Sequence, residues 1–430
     1  MYIRPMIRKN LIFLFIISTH LVEAQGLVDN QNKYWAFRER FKQEFIVVGE
    51  GQGKSIPAVS RHDNYERIGW GDATLHLGWY MAMLSTEYQL SEKNSFIRTD
   101  TAPVLPLDST LLELYFALKA LERLDLEAEP FFVKEARPAL NGFFIRDDVP
   151  KDIINYFPGM NAMESDFTKA DPRANEESQD QVHHLMMGLM CVVQFVPELT
   201  KVRGESLNFM AKAHAKRILD YLIDENWHVK NPVLLKSNGK PQKVMRGGEG
   251  YIYSGGIKYA MRMLDPEKTK NHVSPLYNFF WSTLRMGINP TYLKDDNAHM
   301  AMTVATTGNG FKKNTFRKLS KFAKSDDWYV YPLLNLAMYP QNRRFKKERN
   351  QLPRSRALLD MMPREGPHST YPDTNSQGWT VNNRFMREKS ELYLNKPHTI
   401  GADYHALDYM LLHNLYLMHL NGLVPERSKK

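Results

Sequence analysis

Residues 178–190 read SQDQVHHLMMGLM and predict a helix that is buried on every side. Ser178 is followed three residues later by Gln181, which is the capping-box pattern. In this pattern two side chains satisfy backbone groups that the first helical turn leaves without partners. Over residues 185–196, only Gln194 interrupts the apolar surface. Because such a helix has no wet face, it must be surrounded by other elements.

Helical periodicity dominates the rest of the chain and indicates about a dozen helices. The predicted helices lie near residues 31–45, 72–92, 110–127, 178–196, 206–226, 254–265, 274–287, 295–306, 312–323, 326–339, 353–362 and 402–420. Strand-like sequence is sparse, and the candidates are FIVV at 45–48 and GFFI at 142–145. We therefore expect an all-α fold.

The predicted helices are of two kinds. Those at 110–127 and 206–226 are amphipathic and carry charged side chains along one face, which is typical of outer helices. Three others are apolar nearly all round and are expected inside the fold: residues 72–92, 178–196 and 402–420. Within these inner helices, Gly78, Ala82 and Gly188 are small enough to let neighbouring backbones approach closely.

Long irregular stretches come directly before helices that we place inside the fold or near its centre. These stretches are residues 46–71, 128–177, 228–253 and 364–400. Long loops in a compact domain often carry function. If the inner helices run parallel, the loops and the acids at the helix starts gather at one end of the molecule.

The first residues, 1–24, are expected to be a secretory signal peptide. Basic side chains precede the short apolar run Leu11–Ile17, and a cleavage-like site ends at Ala24. We expect export to the periplasm or the exterior, with the mature chain starting near Gln25. No later segment offers roughly 18 uninterrupted apolar residues, so no membrane anchor is expected. Residues 25–430 contain no linker-like composition and are expected to form one domain.

Composition and charge exclude several classes of protein. The net charge of +9 is modest, and the cationic run at 343–356 is short enough to be a solvated helix face, so nucleic acid is not expected as a partner. Cys191 is the sole cysteine, which excludes an intramolecular disulfide. GEGQGKS at 49–55 lacks the phosphate-loop spacing, because Val48 stands where the first glycine belongs. No cofactor and no metal are expected.

Four short motifs resemble the six-hairpin glycosidase superfamily. They are Trp70-Gly71-Asp72, Gly78-Trp79-Tyr80, Ser178-Gln179-Asp180-Gln181 and Asp403-Tyr404-His405. The resemblance extends over most of the mature chain and identifies no subfamily. It implies an (α/α)6 toroid with an inner and an outer ring of helices. It also implies a funnel at the inner-helix N-termini, where carbohydrate binds and carboxylates act as general acid and base.

Asp180, Asp72 and Asp403 are the candidate catalytic residues, because each stands at the start of a predicted inner helix. Glycosidic cleavage commonly needs two carboxyl groups, roughly 5–5.5 Å apart for retention and 6.5–9.5 Å for inversion. Asp180 and Asp72 are the first pair. The alternative is that either aspartate only caps its helix, since aspartate is favoured there and suits the positive end of the helix dipole.

Three histidines are candidate substrate-binding residues. His183 and His184 follow Asp180 by three and four residues, so either can return to the same helix face. Side chains at 183 and 184 diverge by about 100° on a helix, which disfavours joint chelation of a metal with Asp180. His405 follows Asp403 at the last predicted inner helix. The alternative for each histidine is a buried side chain with satisfied hydrogen bonds.

The remaining candidate substrate-binding residues are arginines and tryptophans. They are Arg146, Arg246, Trp379, Arg384 and Trp79. An arginine suits a uronate carboxylate because its planar fork pairs with both oxygens, and a tryptophan offers a stacking face for a sugar. For Arg146, which precedes two aspartates, an ordinary loop salt bridge is the alternative.

The sequence therefore predicts an exported carbohydrate-active enzyme that hydrolyses glycosidic bonds of an oligo- or polysaccharide. The arginines among the candidate residues allow this substrate to contain uronates. A polysaccharide lyase is the first alternative, and a non-catalytic glycan-binding toroid is the second. A lyase leaves an unsaturated product that absorbs in the ultraviolet, whereas a hydrolase does not. The sugar, the linkage and the oligomeric state stay open.

Overall fold

Helix is the dominant secondary structure, which confirms the expected mostly helical fold. The computed structural model describes residues 4–62, 66–97, 107–169, 175–225, 230–235, 241–243, 264, 329–338, 352–362, 364, 366, 368–369 and 402–424. Apart from Leu264, the predicted helices at 254–265, 274–287, 295–306 and 312–323 lie outside these described residues.

Most helices within the described residues overlap a predicted segment, whereas Ala128–Phe132 and Lys151–Tyr156 lie in the stretch 128–177 that was expected to be irregular. The helices are α1 (Arg4–Glu44), α2 (Ala73–Glu92), α3 (Leu107–Leu126), α4 (Ala128–Phe132), α5 (Gln179–Phe195), α6 (Leu207–Asp224), α7 (Val330–Met338), α8 (Leu352–Met361) and α9 (Leu407–Leu420), with a 3-10 helix at Lys151–Tyr156. α1 is longer than the predicted helix at 31–45 and passes through the predicted cleavage position. Within the described part of the chain, no helix combines the length and hydropathy that crossing a membrane requires.

Short strands form a sheet beside the helices. The strands are β1 (Ser60–His62), β2 (Arg67–Gly69), β3 (Ala162–Glu164), β4 (Lys201–Val202), β5 (Glu205–Ser206), β6 (Lys230–Leu235), β7 (Pro241–Lys243), β8 (His368–Ser369) and β9 (Ala402–Tyr404). Five of them form one sheet in the order β3-β2-β1-β9-β8, in which β2 and β3 are parallel and the other pairs antiparallel. β4 pairs with β5, and β6 with β7.

Three local predictions about strands and helix ends are wrong. FIVV at 45–48 and GFFI at 142–145 are not strands. Phe45 and Val47 accept single backbone hydrogen bonds from Ala58 and Ser55 without forming a strand ladder, and Phe143–Ile145 are buried in the helical core. Periodicity alone cannot separate a strand from another buried conformation in so short a run. The predicted helix at 402–420 begins only at Leu407, since residues 402–404 pair with β1 and β8 instead.

α2 and α5 are buried helices that run parallel. At their N-terminal ends, Gln181 Nε2 lies 3.5 Å from Asp72 Oδ1. At their C-terminal ends, the Gln89 side-chain amide donates to the Phe195 carbonyl. Because the two N-terminal ends are adjacent and the two C-terminal ends are adjacent, the helices run in the same direction.

Glycines set the spacing between α2 and α5, as the sequence predicts. A Cβ atom on Gly78 would lie 2.1 Å from the His184 carbonyl oxygen, and one on Gly188 would lie 2.3 Å from the Gly78 carbonyl oxygen. Neither position has room for a side chain, so the two backbones are in direct contact.

α9 also runs parallel to α2, on the opposite side from α5. His405, just before α9, contacts His76 in the first turn of α2. At the far ends, the Asn421 side chain donates to the Ser95 carbonyl at 2.7 Å. Since α9 and α5 both pack on α2, three parallel buried helices form a row.

The amphipathic helices run antiparallel to this row, as expected of outer helices. Thr110, early in α3, donates to Glu87, late in α2, and Glu113 farther along α3 accepts from Tyr80. Asn208, early in α6, donates to the Val196 carbonyl after the end of α5. The starts of α2, α5 and α9 therefore lie at one end of this row, beside the five-stranded sheet.

Candidate functional site

The sheet delivers two chain segments to the start of α2. Gly69 of β2 pairs with Glu164 of β3, and the Trp70 N–H donates to the Glu164 carbonyl at 2.8 Å. Residues 164–169 consequently lie beside residues 70–72, although almost a hundred positions separate them in the sequence.

Asp72 begins α2 in a left-handed backbone conformation, with φ 62° and ψ 29°. Such a conformation costs on the order of 1 kcal/mol, and aspartate tolerates it better than most residues. Its side chain makes no capping hydrogen bond to α2. Asp72 faces Arg146 and Gln181 instead. The capping interpretation therefore does not account for this side chain.

Arg146 lies between two carboxylates. Its Nε donates to the Glu176 carbonyl at 2.7 Å, which fixes the direction of the guanidinium. Its Nη1 lies 3.6 Å from Asp72 Oδ1 and 4.0 Å from Asp166 Oδ2. These distances exceed direct hydrogen bonds, and all three side chains retain access to solvent.

Asp166 is a member of this cluster that the sequence analysis did not identify. Its carboxylate lies 3.5 Å from Lys169 Nζ, which is three residues further along the chain. Burial raises the pKa of Asp166, the positive charges of Arg146 and Lys169 oppose this effect, and the negative charge of Asp72 adds to it. The surrounding sequence resembles an ordinary polar loop, and only the sheet register brings Asp166 to the site.

Asp180 lies in the first turn of α5, where the predicted capping box is present. The Ser178 N–H donates to Gln181 Oε1 at 3.3 Å. Asp180 Oδ1 accepts from the Ser178 hydroxyl and, at 3.1 Å, from the Gln181 N–H. One oxygen of Asp180 thus stabilises the helix start, while Gln181 extends from the same turn toward Asp72.

His183, His184 and Trp79 are buried behind this helix start. His184 Nδ1 lies 2.7 Å from the Asp180 carbonyl oxygen, and its ring stacks on Trp79 with centroids 6.1 Å apart. Burial, with a smaller contribution from His184, holds the pKa of His183 well below its usual range. Among the described residues, no group of three His, Cys, Asp or Glu side chains has the arrangement of a metal site.

Asp403 and His405 lie at the start of α9, on the other side of α2. Asp403 Oδ2 is 3.7 Å from Arg40 Nη1 of α1. His405 Nδ1 accepts from the Leu407 N–H at 3.1 Å, so His405 caps α9, and its Nε2 lies 2.7 Å from His76 Nδ1. Burial, assisted by Arg40, lowers the pKa of His405 to about 3.

This hydrogen-bond chain fixes the imidazole tautomers. Because Nδ1 of His405 accepts from a backbone N–H, its Nε2 carries the proton and donates to His76. His76 was not identified from the sequence, since a histidine within an apolar helix carries no signal of its partner. The structure therefore places His405 in a buried layer behind the site with His76 as its contact, whereas Asp403 is half-buried beside Arg40.

The site residues that the structure brings together are Asp72, Arg146, Asp166, Lys169, Asp180 and Gln181. The predicted binding residues Arg246, Trp379 and Arg384 lie outside the described residues. Three carboxyl groups and two cations at the open ends of parallel helices are suited to acid–base chemistry on a polar ligand. Comparison with protein-family models, curated proteins and solved structures found no match.

Proposed function

We propose that this chain is a carbohydrate-active enzyme that hydrolyses glycosidic bonds of an oligo- or polysaccharide. The observation that carries the proposal is the meeting of Asp72 and Asp166 on either side of one guanidinium, at the start of two parallel buried helices. Two carboxyl groups in different environments are the minimum that acid–base cleavage of a glycosidic bond requires.

Asp166 is assigned as the general acid and Asp72 as its partner, the base or nucleophile. Burial raises the pKa of Asp166, which favours the protonated form that a general acid needs. Asp72 keeps more of its surface in solvent, at 20% against 11% for Asp166. Both lie within 4.0 Å of the same Arg146 nitrogen, so their separation is compatible with the carboxyl pairs of glycosidases.

Arg146 and Asp180 are assigned supporting roles. Arg146 is held by the Glu176 carbonyl, so its remaining donors are available to orient a sugar hydroxyl or a uronate carboxylate. Asp180 stabilises the start of α5 and, through Gln181, fixes that helix relative to Asp72. This arrangement replaces Asp180 with Asp166 as the partner of Asp72.

The toroid and export belong to the same proposal. Three parallel buried helices, with antiparallel amphipathic helices packed on them, are the local arrangement that an (α/α)6 toroid repeats around a ring. Export is supported by the basic and apolar pattern of residues 1–24.

The test is hydrolysis of a glycan panel that includes neutral and uronate-containing oligosaccharides. We expect reducing ends to be released by the wild type and by Asp220→Asn, a control that removes a carboxylate paired with Lys216 on α6. Asp72→Asn and Asp166→Asn should abolish most of this release. Products that absorb in the ultraviolet would point to a lyase instead, and binding that survives both substitutions without any turnover would point to a glycan-binding protein.

A further inference from the structure

Asp147 is a fully buried carboxylate directly next to Arg146, and it collects hydrogen bonds from two chain segments. Its Oδ1 accepts from the Ser165 hydroxyl at 2.5 Å and from the Val149 N–H at 3.1 Å. Its Oδ2 accepts from the Asp166 N–H at 2.9 Å. One carboxylate therefore ties the segment that carries Arg146 to the segment that carries Asp166.

Asn175 ties a third segment to the same point. Its side-chain oxygen accepts from the N–H groups of Arg146 and Asp147 at 2.8 and 3.2 Å, and its amide donates to the Asp147 carbonyl at 3.0 Å. The next residue, Glu176, supplies the carbonyl that holds Arg146 Nε. Backbone and side chain of Arg146 are thus both fixed by groups around Asp147.

We propose that Asp147 is a positioning residue that holds Asp166 opposite Arg146 through the hydrogen bonds that its carboxylate accepts from the Ser165 hydroxyl and the Asp166 N–H. The proposal rests on the proposed function, because it gives Asp166 the role of general acid. Asp147 itself is buried away from the open side of the site and is not assigned contact with substrate.

Charges around the two aspartates determine the expected pH behaviour. Burial raises the pKa of Asp147 to about 6, hydrogen bonds from Ser165, Val149 and Asp166 oppose this, and the charge of Asp166 adds to it. Other groups set the pKa of Asp166: burial and the charge of Asp72 raise it, and Arg146 and Lys169 oppose them. Asp148, the neighbour of Asp147, is neutralised by Arg123 of α3.

Asp147→Asn tests the positioning role, because both carboxylate oxygens of Asp147 accept hydrogen bonds and an amide has only one oxygen that can accept. With its oxygen toward Ser165 and Val149, its NH2 group meets the Asp166 N–H, and two donors face each other. We expect amide exchange of Asp166 to lose roughly tenfold in protection, the scale of one lost hydrogen bond to a charged acceptor. Exchange is measured by NMR on the full chain and expressed as a protection factor.

A control separates this effect from general loosening. Asp148→Asn changes an equally buried neighbour that binds Arg123 and the Gly53 N–H, so protection of Asp166 should stay within about twofold. Unchanged protection of Asp166 in Asp147→Asn, or equal loss in Asp148→Asn, would overturn the proposal.

The second readout is the split between kcat and KM, which a merely structural loss of folded protein does not produce. In Asp147→Asn, kcat per folded molecule should fall by roughly tenfold or more while KM stays within about threefold, because a displaced general acid acts on the transition state. A kcat at the wild-type value would contradict the positioning of Asp166 by Asp147. If the exchange results are as expected but no glycan is hydrolysed by the wild type, the proposed function fails and the positioning of Asp166 stands.

Discussion

Two arginines in this molecule each lie between two carboxylates, and their surroundings differ. Arg38 of α1 donates to Glu87 at 2.9 Å and to Glu113 at 2.6 Å. The exposed fraction of the side chain is 2% for Arg38, 0% for Glu87 and 4% for Glu113. Arg146 stands 3.6 and 4.0 Å from Asp72 and Asp166, with 23%, 20% and 11% exposed. We name the first set the closed cluster and the second the open cluster.

The difference between the clusters separates a structural role from a ligand-binding one. In the closed cluster, hydroxyl groups of Tyr80 and Thr110 donate to the carboxylates, and Lys42 adds a further cation. Such a network is strongly constrained, because removing one member leaves a buried charge without compensation. The charges of the open cluster are more widely spaced and partly solvated, so a polar ligand can take up contacts there at little cost in stability.

The largest effect that sharpens this comparison is expected for Arg38→Met. The substitution leaves Glu87 and Glu113 buried without their main cation, which should cost about 3–5 kcal/mol. Arg146→Met, the matched change in the open cluster, should cost about 1–2 kcal/mol, because its carboxylates lie 3.6 and 4.0 Å away and only the Nε hydrogen bond to the Glu176 carbonyl is lost outright. The free energy of unfolding in urea measures both, and similar losses would remove the distinction between the clusters.

The second prediction is that Glu113 and Asp147 make stability depend on pH in opposite directions. Burial works to raise the pKa of Glu113, but Arg38 and Lys42 outweigh it and the pKa is lowered, so the stability from Glu113 is lost as pH falls. For Asp147, beside the open cluster, the dependence of stability on pH has the opposite sign. Its pKa is raised to about 6, so the folded chain binds the proton more tightly and stability falls as pH rises between about 4 and 6.

For Asp147 the full change across this pH window is about 3 kcal/mol. Urea unfolding of the wild type and of Asp147→Asn at pH 4, 5, 6 and 7 measures it. The difference between the two proteins should shift in favour of the variant as pH rises. A difference that stays constant across the series would show that Asp147 has an ordinary pKa.

The third prediction compares activity with stability. Asp166→Asn should lower turnover by roughly 10²-fold or more, the usual scale for losing general acid–base assistance. It should change the free energy of unfolding by about 1 kcal/mol or less, because an amide of the same shape replaces a carboxylate whose cations lie 3.5 and 4.0 Å away. Glu113→Gln should lower the free energy of unfolding strongly and leave the turnover of the folded protein nearly unchanged. Turnover and unfolding are measured on the same preparations, and loss of turnover in proportion to the folded fraction would refute the assignment of Asp166.

The smallest effect is expected for Asp180→Asn. Ser178 and Gln181 still supply the capping box, and asparagine is itself tolerated at helix starts, so stability should fall by about 1 kcal/mol or less. Turnover should stay within about tenfold of the wild type if Asp166 is the acid. A loss comparable with that of Asp166→Asn would return Asp180 to the catalytic pair.

The helices could be predicted from the sequence because their signals are local. The capping box at Ser178 and Gln181 depends on residues three positions apart, and an apolar surface on all faces already shows that a helix is buried. The contact at Gly78 and Gly188 was likewise visible, because it depends on residue size alone. Boundaries agreed to within a few residues for α2, α3, α5 and α6, whereas α1 begins at Arg4, 27 residues before the predicted start at 31.

The strands and half of the open cluster could not be predicted, because both depend on distant partners. Residues 402–404 and 162–164 are too short to show alternation, and pairing with β1 and β2 decides their conformation. Asp166 comes to Arg146 only through that pairing and through Asp147. Asp72, by contrast, was identified because a helix start is a local feature.

The contact between Gly78 and Gly188 has a consequence for how this site could change over evolutionary time. Asp72 and Gln181 stand one to two turns before these glycines, on the same two helices. A helix is stiff over that length, so the distance between α2 and α5 at the glycines sets the distance between them at Asp72 and Gln181, which we call the mouth of the site. A single methyl group added at either glycine pushes the mouth apart without altering any residue there. Selection for a bulkier substrate therefore has a route through the interior of the molecule, and a lineage could widen its cleft while every residue of the open cluster stays the same.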